Sequence, residues 1–481
     1  MNDAKNDAKK SLSPGLLWFV LGISAIFAAS LTLRFWGLGR FNALVFDEVY
    51  YAKFANDYLT GTKFFNAHPP LSQYIIAIGI WLGSKMPIGQ DTMNELTGSL
   101  RSTFSYRWLN ALTGSFVPLV VAAIAYQLYP RRSYALVAGL FASLDGLFLV
   151  ESRYALNNVY LVILGLLGQL FVLFALRNQG SKRTFQLAIA GIFFGATAAI
   201  KWNGLWFLLG IYFVWIIAWL VESKPKPEEK NLSILANLQQ INLWQFLTNF
   251  ALVPVITYSL LWIPHLIMNP EPNFIQSQWE ILSFHKRIGS GADVHPYCST
   301  WYSWLVMWRP VAYFYDTAKN LADPVPQIPP LAPGEGGILY AVHAMGNPFL
   351  WWLSTAAILL LIVYFLKLVW QQISRSGKSW SGGEWLAVYV VANWAANLLP
   401  WMRVDRCIFL YHYMGSAVFA SLGLAWLVDR WLGSKSSNQK IAGIIVMLLV
   451  VGAFVFWMPV FLGLPLSSSG YKLRMWFPNW I

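Results

Sequence analysis

PGLLWFVLGISAIFAASLTLRFW, Pro14 to Trp36, followed shortly by VFDEVYYAKF, Val45 to Phe54, decides how the rest of the chain is read. The first stretch is apolar throughout except for Arg34 near its end, and a helix of about 20 such residues crosses about 30 Å of hydrocarbon. The second places adjacent carboxylates, Asp47 and Glu48, where that span would emerge into water. Further along, runs of similar character recur near 15–36, 107–128, 133–150, 154–176, 184–200, 203–221, 246–266, 348–370, 384–400, 407–428 and 439–462. The chain is 57% hydrophobic and 11% charged, too apolar a mix for a soluble protein of 481 residues. Trp, Tyr and Phe together reach 17%, and many sit near span ends, where amphipathic rings anchor at the interface. The expected fold class is an all-α polytopic membrane protein, a single transmembrane catalytic domain over 1–481 with about eleven transmembrane helices.

Basic residues in short loops set the orientation. With a cytoplasmic N-terminus carrying Lys5, Lys9 and Lys10, the inside loops hold Arg131 and Arg132; Arg177, Lys182 and Arg183; Lys224, Lys226 and Lys230; Lys367, Arg375 and Lys378; and Arg430, Lys435 and Lys440. The short outside loops hold only Arg153, Lys201, Arg403 and Arg406. The net charge of +13 is thereby explained as a membrane-orientation signal, with no nucleic acid needed. KPKPEEK, 224–230, reads as a solvated cytoplasmic linker. No cleavage site precedes Arg34, so the first span reads as retained.

Two long segments, 37–106 and 267–347, both fall outside and are expected to be functional because of their length. In the first, Tyr50, Phe54 and Tyr58 recur at helical spacing and predict a surface-lying amphipathic helix over Val49–Leu59. Cys298 and Cys407 both lie on the oxidising side, which leaves a disulfide and two free thiols as alternatives.

Rare polar groups gather at the outer span ends: Arg107, Glu151, Arg153, Lys201 and His412 join Asp47 and Glu48. Each is expensive in hydrocarbon, and their shared face predicts a polar cavity. Asp47 could instead be an ordinary N-cap, and Glu151 with Arg153 a structural ion pair. One carboxylate among several cations suits transfer of a sugar from a lipid phosphate. The phosphate leaves as a stable anion and needs no general acid, so the enzyme supplies cations for it. It also supplies one general base for the incoming hydroxyl. Base and leaving group on opposite sides of the sugar carbon would invert its configuration. AHPPLSQ, Ala67 to Gln73, adds His68 on a rigid turn, readable as structure or as site. No cofactor is required by this chemistry. His285, His295 and His343 form no helix-spaced metal signature, although a divalent ion on Asp47, Glu48 and a histidine stays open.

These motifs resemble the protein O-mannosyltransferases. FDEVYYAKFA with HPPL is similar to that family's first external loop, YRWLNALTG with Arg107 to its second-span entry, and LDGLFLVESRYALNNV and AIKWNGLW to later junctions. HKRIGSGADVHPYCSTWYSWLVMWRPVAYFY (285–315), GNPFLWW (346–352), YHYMG (411–415) and the ending MWFPNWI resemble the bacterial branch. The resemblance implies a GT-C type glycosyltransferase fold that moves mannose from a polyprenyl-phosphate donor to Ser or Thr of an exported polypeptide. It implies Asp47 as base with Glu48 beside it, Arg107 on the donor phosphate or in the scaffold, and Lys201 on the phosphate. His68, Arg153, Tyr297 and His412 match family positions without fixed roles. The implied location is the plasma (inner) membrane with the site on the periplasmic face. Two departures bear on donor preference: Ser72 and Gln73 follow HPPL where relatives have Gly-Lys, and Asn157 and Asn158 stand where relatives carry Leu-Asp. A related transferase acting on a lipid, of the aminoarabinose type, is the rival reading; a transporter would show matched broken helices at mid-membrane.

Overall fold

Helix ends explain much of the architecture, because each leaves backbone groups that must find partners. A computed structural model describes residues 13–90, 92–221, 233–318, 337–374 and 380–481. Lys5, Lys9, Lys10, the 224–230 linker, Arg375 and Lys378 lie outside the described residues.

Helix α1 (Pro14–Phe35) starts on a proline, whose missing N–H costs nothing in a first turn. The first external segment then folds as α2 (Glu48–Thr60), α3 (Leu71–Gly83) and a hairpin of β1 (Met93–Leu96) and β2 (Ser99–Ser102). The hairpin turns at Thr97 and Gly98, with φ of 46° and 81°, the left-handed pair a two-residue connection requires. Helices α4 (Thr103–Leu128), α5 (Arg132–Ser143), α6 (Gly146–Glu151), α7 (Asn158–Ala175), α8 (Gly180–Ala198), α9 (Leu205–Leu220), α10 (Leu243–Leu247) and α11 (Val253–Met268) follow. The second external segment contains α12 (Phe274–Arg287), β3 (Val311–Ala318) and β4 (Ile338–Ala344). The chain ends with α13 (Pro348–Ser374), α14 (Gly382–Leu398), α15 (Met414–Leu432), α16 (Ser437–Leu462), β5 (Leu466–Ser467) and α17 (Ser468–Lys472).

Every expected span is occupied by helix. Among the described residues, seven segments are long and apolar enough to cross a membrane. These include α1, α4, α7, α13 and α16, with the segments Trp202–Leu220 and Leu243–Met268. The other four expected spans, at α5, α8, α14 and α15, are shorter or less apolar. Most of α14 and α15 is buried against neighbouring helices, so Asn393 and Asn397 do not meet lipid. The run expected at 133–150 breaks at Leu144, because Asp145 turns back to cap α6 and accepts from the N–H groups of Leu147 (2.9 Å) and Phe148 (3.1 Å).

Pro254 sits inside the Leu243–Met268 segment and cannot donate to the carbonyl of Phe250. The preceding turn, Thr248–Leu252, widens to a π-helix, and the Tyr212 hydroxyl donates to the orphaned Phe250 carbonyl at 2.5 Å. Helix α8 meets this distortion with Gly191 and Gly195. A side chain at either would collide with the carbonyl of Asn249 or Pro254, at 2.2 and 2.5 Å.

Strands correct the all-α expectation locally. β3, β4 and β5 form an antiparallel sheet in that order, and a bulge at Tyr313 interrupts the β3–β4 register between Ala312 and Phe314. The expected amphipathic helix is present as α2, but its buried face carries Tyr51, Ala52, Ala55 and Asn56, while Tyr50 is exposed. Two alanines let that face approach the bundle closely, and the aromatic row of Phe54 and Tyr58 is covered instead by Phe64. Cys298 and Cys407 form a disulfide, with Ser299 N–H to Ile408 (2.8 Å) and Cys407 N–H to Gly289 (2.7 Å) holding the same two segments together.

Candidate active site

The loop between α1 and α2 carries the acidic pair, and its two members face opposite duties. Glu48 is fully buried. Its Oε1 accepts from Arg107 Nε and the Ala155 N–H, both at 2.8 Å. Its Oε2 accepts from Arg107 Nη2 at 2.7 Å and the Val45 N–H at 2.8 Å. Arg107 donates its remaining N–H groups to the carbonyls of Leu38, Phe41 and Ala43 at 2.7 to 3.1 Å. All five donors of the guanidinium are therefore used internally. This corrects the expectation that Glu48 shares in the chemistry, since it has no lone pair to spare, and it decides the two roles open to Arg107 in favour of the scaffold, since no N–H is left for a phosphate. Together they lock the loop.

Asp47 does the reverse. Its carboxylate accepts no hydrogen bond from the described residues and does not cap α2, so the N-cap reading fails. Protein surrounds it on nearly every side, yet it keeps accessible surface. Burial pushes its proton affinity up to a pKa of about 6, moderated by the nearby Lys201 ammonium. The residue before it, Phe46, has φ of 52°, a strained backbone for a side chain of that size. What holds that strain is a ring stack on Tyr313, with centroids 4.2 Å apart and planes 10° apart. Tyr313 is the bulged residue of β3, turned inward so that its hydroxyl also donates to Glu151 Oε1.

From Glu151 a polar chain runs outward. Asn158 Nδ2 donates to Glu151 Oε2 at 3.1 Å, and Lys201 Nζ donates to Asn158 Oδ1 at 2.9 Å. Burial raises the Glu151 pKa and lowers that of Lys201; each charge opposes the other's shift. The ammonium also lies 5.5 Å from the ring of Tyr411.

Lys201 opens on a cavity of about 520 Å³, bounded by the HPP turn, the α8–α9 junction, α12 and the 401–412 segment. Its walls carry Lys201, Lys286, Arg403 and Arg406 against a single carboxylate, Asp405, with His68, His285 and His412 between them. Arg406 donates to the Cys407 carbonyl at 2.9 Å and has no carboxylate partner among the described residues. The His68 and His285 rings lie 5.1 Å apart, tilted by 33°, and burial with the adjacent cations holds both below the ordinary histidine pKa, His285 at about 4. A cation-walled pocket of this size, with neutral histidines between the charges, suits a phosphate and its sugar.

Other expected site residues are placed elsewhere. Arg153 forms no ion pair with Glu151. It closes α1 by donating to the carbonyls of Leu33 (2.7 Å), Arg34 (3.0 Å), Trp36 (2.9 Å) and Gly37 (3.0 Å). Tyr297 lies against the Arg309 guanidinium, outside the cavity wall. A metal set of Asp47, Glu48 and a histidine is not assembled, since both Glu48 oxygens are engaged. No cluster of three such ligands forms among the described residues. Sequence reasoning gave no site role to Arg403, Arg406 or Tyr313 and weighed His285 only as a metal ligand; the basic run HKR and the paired arginines of the 401–406 segment were signals for the cation wall, and no pattern marks Tyr313.

Two family models divide the chain between them. The model described as dolichyl-phosphate-mannose-protein mannosyltransferase matches residues 24–267, and that for the C-terminal four-span region of protein-O-mannosyltransferase matches 270–480. The chain belongs to the protein O-mannosyltransferase family. As such it is a multi-pass membrane mannosyltransferase. Among family relatives, a polyprenol-phosphate-mannose–protein mannosyltransferase of Corynebacterium glutamicum is 24% identical, over 96% of this chain and 93% of its own. One from Mycobacterium tuberculosis is 23% identical, over 96% and 92%. The fold is shared with the Saccharomyces cerevisiae Pmt1-Pmt2 complex bound to the sugar donor, at TM-score 0.76 and 14% identity, covering 96% of this chain and 93% of that one. It is shared more distantly with ArnT of Cupriavidus metallidurans bound to undecaprenyl phosphate, at TM-score 0.51 and 14% identity, covering 92% and 65%.

Proposed function

We propose that this mannosyltransferase moves mannose from a polyprenyl-phosphate carrier to a Ser or Thr hydroxyl of an exported polypeptide, inverting the anomeric carbon. One observation carries the assignment of roles: Asp47, whose carboxylate accepts no hydrogen bond from the described residues, shares its electrostatic surroundings with Lys201, which itself walls the cationic cavity. Lys201 and Arg406 hold the donor phosphate; the neutral His285 gives its Nε2–H to the Ala67 carbonyl and offers Nδ1 as an acceptor to a sugar hydroxyl at the same wall. The acceptor oxygen bonds to the sugar carbon as the carbon–oxygen bond to phosphate breaks. The hydroxyl proton passes to Asp47, and polyprenyl phosphate leaves as an anion already stabilised by its cations. Arg107 and Glu48 act by fixing the loop, not by touching substrate.

The site draws on both long external segments, whereas Lys and Arg concentrate in the alternate short loops of the sequence. That asymmetry supports a periplasmic site in the inner membrane. The test supplies polyprenyl-phosphate mannose to purified protein in liposomes. Asp47→Asn should stay folded and lose transfer by about 10² to 10⁴ or more. Wild-type rates in that variant would end the proposal. Mass spectrometry of the products separates glycopeptides from the mannosylated lipid that the aminoarabinose-type reading requires.

A further inference from the structure

Helices α13 and α16 are both long and apolar enough to cross a membrane, and together they wall a groove of about 370 Å³. Phe349 of α13, Ile445, Leu448, Phe456 and Trp457 of α16, and Trp476 of the C-terminal segment line it, with no charged, amide or hydroxyl side chain in the wall. Gly452 keeps the groove open: a Cβ there would meet nothing within 4 Å. From Ile445 to Trp457 the helix rises about 18 Å, close to the hydrocarbon depth of one leaflet. Leu448 is 66% exposed, which on a spanning helix leaves this face to hydrocarbon.

An apolar wall accepts any alkyl chain, but the end of the groove at Phe456 adds a cation. The Arg474 guanidinium carbon lies 4.8 Å from the centroid of the Phe456 ring. Its Nε donates to the Phe456 carbonyl and its Nη1 to the Gly470 carbonyl, both at 2.6 Å, which pins the side chain over the groove's rim. Nη2 has no hydrogen-bond partner among the described residues, and neither ion pair found there involves Arg474. No Asp or Glu follows Asp429 in the sequence, so nothing in this part of the chain offsets the charge. Exposed Lys472 adds a second cation, and Leu473, Trp476 and Phe477 beside them are exposed as well. Aromatic rings interleaved with cations at the end of a spanning helix mark the headgroup level, where Lys and Arg attract lipid phosphate.

We propose that this groove binds an anionic phospholipid, with one acyl chain laid along α16 and the phosphate on Arg474 Nη2 and Lys472. None of its wall residues belongs to the donor cavity, so the sugar carrier's head is seated elsewhere. An apolar helix from a second copy of the chain would bury the guanidinium without an anion, which is costly. The lipid clamps the C-terminal segment through Trp476. Further along that segment, Trp480 Nε1 donates to the Met307 carbonyl at 3.0 Å, and the Asn479 carbonyl accepts from Arg309 Nη1 at 2.7 Å, just ahead of β3.

The test uses the full chain in phosphatidylcholine nanodiscs doped with phosphatidylglycerol carrying a diazirine in one acyl chain. Photolysis and peptide mass spectrometry should place label on residues 445–457, about 5-fold or more above a phosphatidylcholine probe with the same chain. Gly452→Leu fills the groove on a lipid-facing turn and should remove most of that label. Arg474→Gln keeps an amide donor for the carbonyls and should bring the two probes level. Equal labelling by both probes in the wild type overturns the proposal whether or not the variants fold. So does label that persists in Gly452→Leu. Loss of the label to excess polyprenyl phosphate assigns the groove to the donor's tail and overturns it, and a dimer that Gly452→Leu dissociates, with no lipid label, assigns it to a second copy.

Discussion

Glu48 grips the Arg107 guanidinium with both carboxylate oxygens, at 2.8 and 2.7 Å, and neither side chain has any exposed surface. The pair closes the 38–48 loop onto α4 and fixes the residue next to it, Asp47. Removing one partner leaves a buried charge unpaired, which typically costs about 3 to 5 kcal/mol. Glu48→Gln and Arg107→Ala should therefore lower the unfolding midpoint sharply, and Arg107→Lys should not rescue it, since one ammonium cannot span Glu48 and three carbonyls. Thermal denaturation in detergent checks this. If either variant kept wild-type stability and lost only donor affinity, Arg107 would belong with the phosphate after all.

A different signature is expected from Asp47, which must be ionised to accept a proton. Its pKa of about 6 places the acid limb of kcat/KM there, about two units above an ordinary aspartate. Activity rises as pH climbs through that value. On the alkaline side Lys201 must stay protonated to bind phosphate, and burial holds it below the usual lysine range, so the rate falls before free lysine would titrate. A profile of kcat/KM against pH tests both limbs. An acid limb near pH 4 would mean that Asp47 is solvated or is not the base.

Much of this arrangement was readable from sequence, and the part that was not has a common cause. The spans follow from apolar run lengths, and the gathering of Asp47, Glu151 and Lys201 near one another follows from the rarity of charge in so apolar a chain. The roles of Arg107 and Arg153 do not, because most of their partners are backbone carbonyls in the 33–43 segment, which no side-chain pattern marks. Nor could the cation wall be assembled in advance. Arg406 reaches it through an irregular segment tied down by the Cys298–Cys407 disulfide, and Tyr313 enters through a bulge. Irregular backbone carries no periodicity to read.

The disulfide joins residues 109 apart and anchors the segment that presents Arg403, Arg406 and His412 to the cavity. Closing so long a loop restricts the unfolded chain by up to about 4 to 5 kcal/mol. Cys298→Ser with Cys407→Ser, or dithiothreitol on the wild type, should lower stability and raise the donor KM while the acid limb of the pH profile stays in place. Denaturant titration and donor kinetics measure the two effects separately. An unchanged donor KM would show that the wall holds its shape without the tether.

Asn158 supplies the sharpest test of how the phosphate is held. As a neutral amide it joins Lys201 to Glu151 and leaves the ammonium one buried anion nearby in its own chain, Glu151, plus Asp47 across the site. Asn158→Asp would add a carboxylate directly against Lys201. The added charge favours the protonated lysine, so the alkaline limb should move to higher pH. It also competes with the donor phosphate for the same ammonium, so the donor KM should rise, on the order of tenfold for a charge-assisted contact. The two shifts have opposite consequences for activity at high pH, and measuring the donor KM across the alkaline limb separates them. Were the limb to move up while the donor bound as before, Lys201 would titrate as described but the phosphate would rest on Arg406 instead.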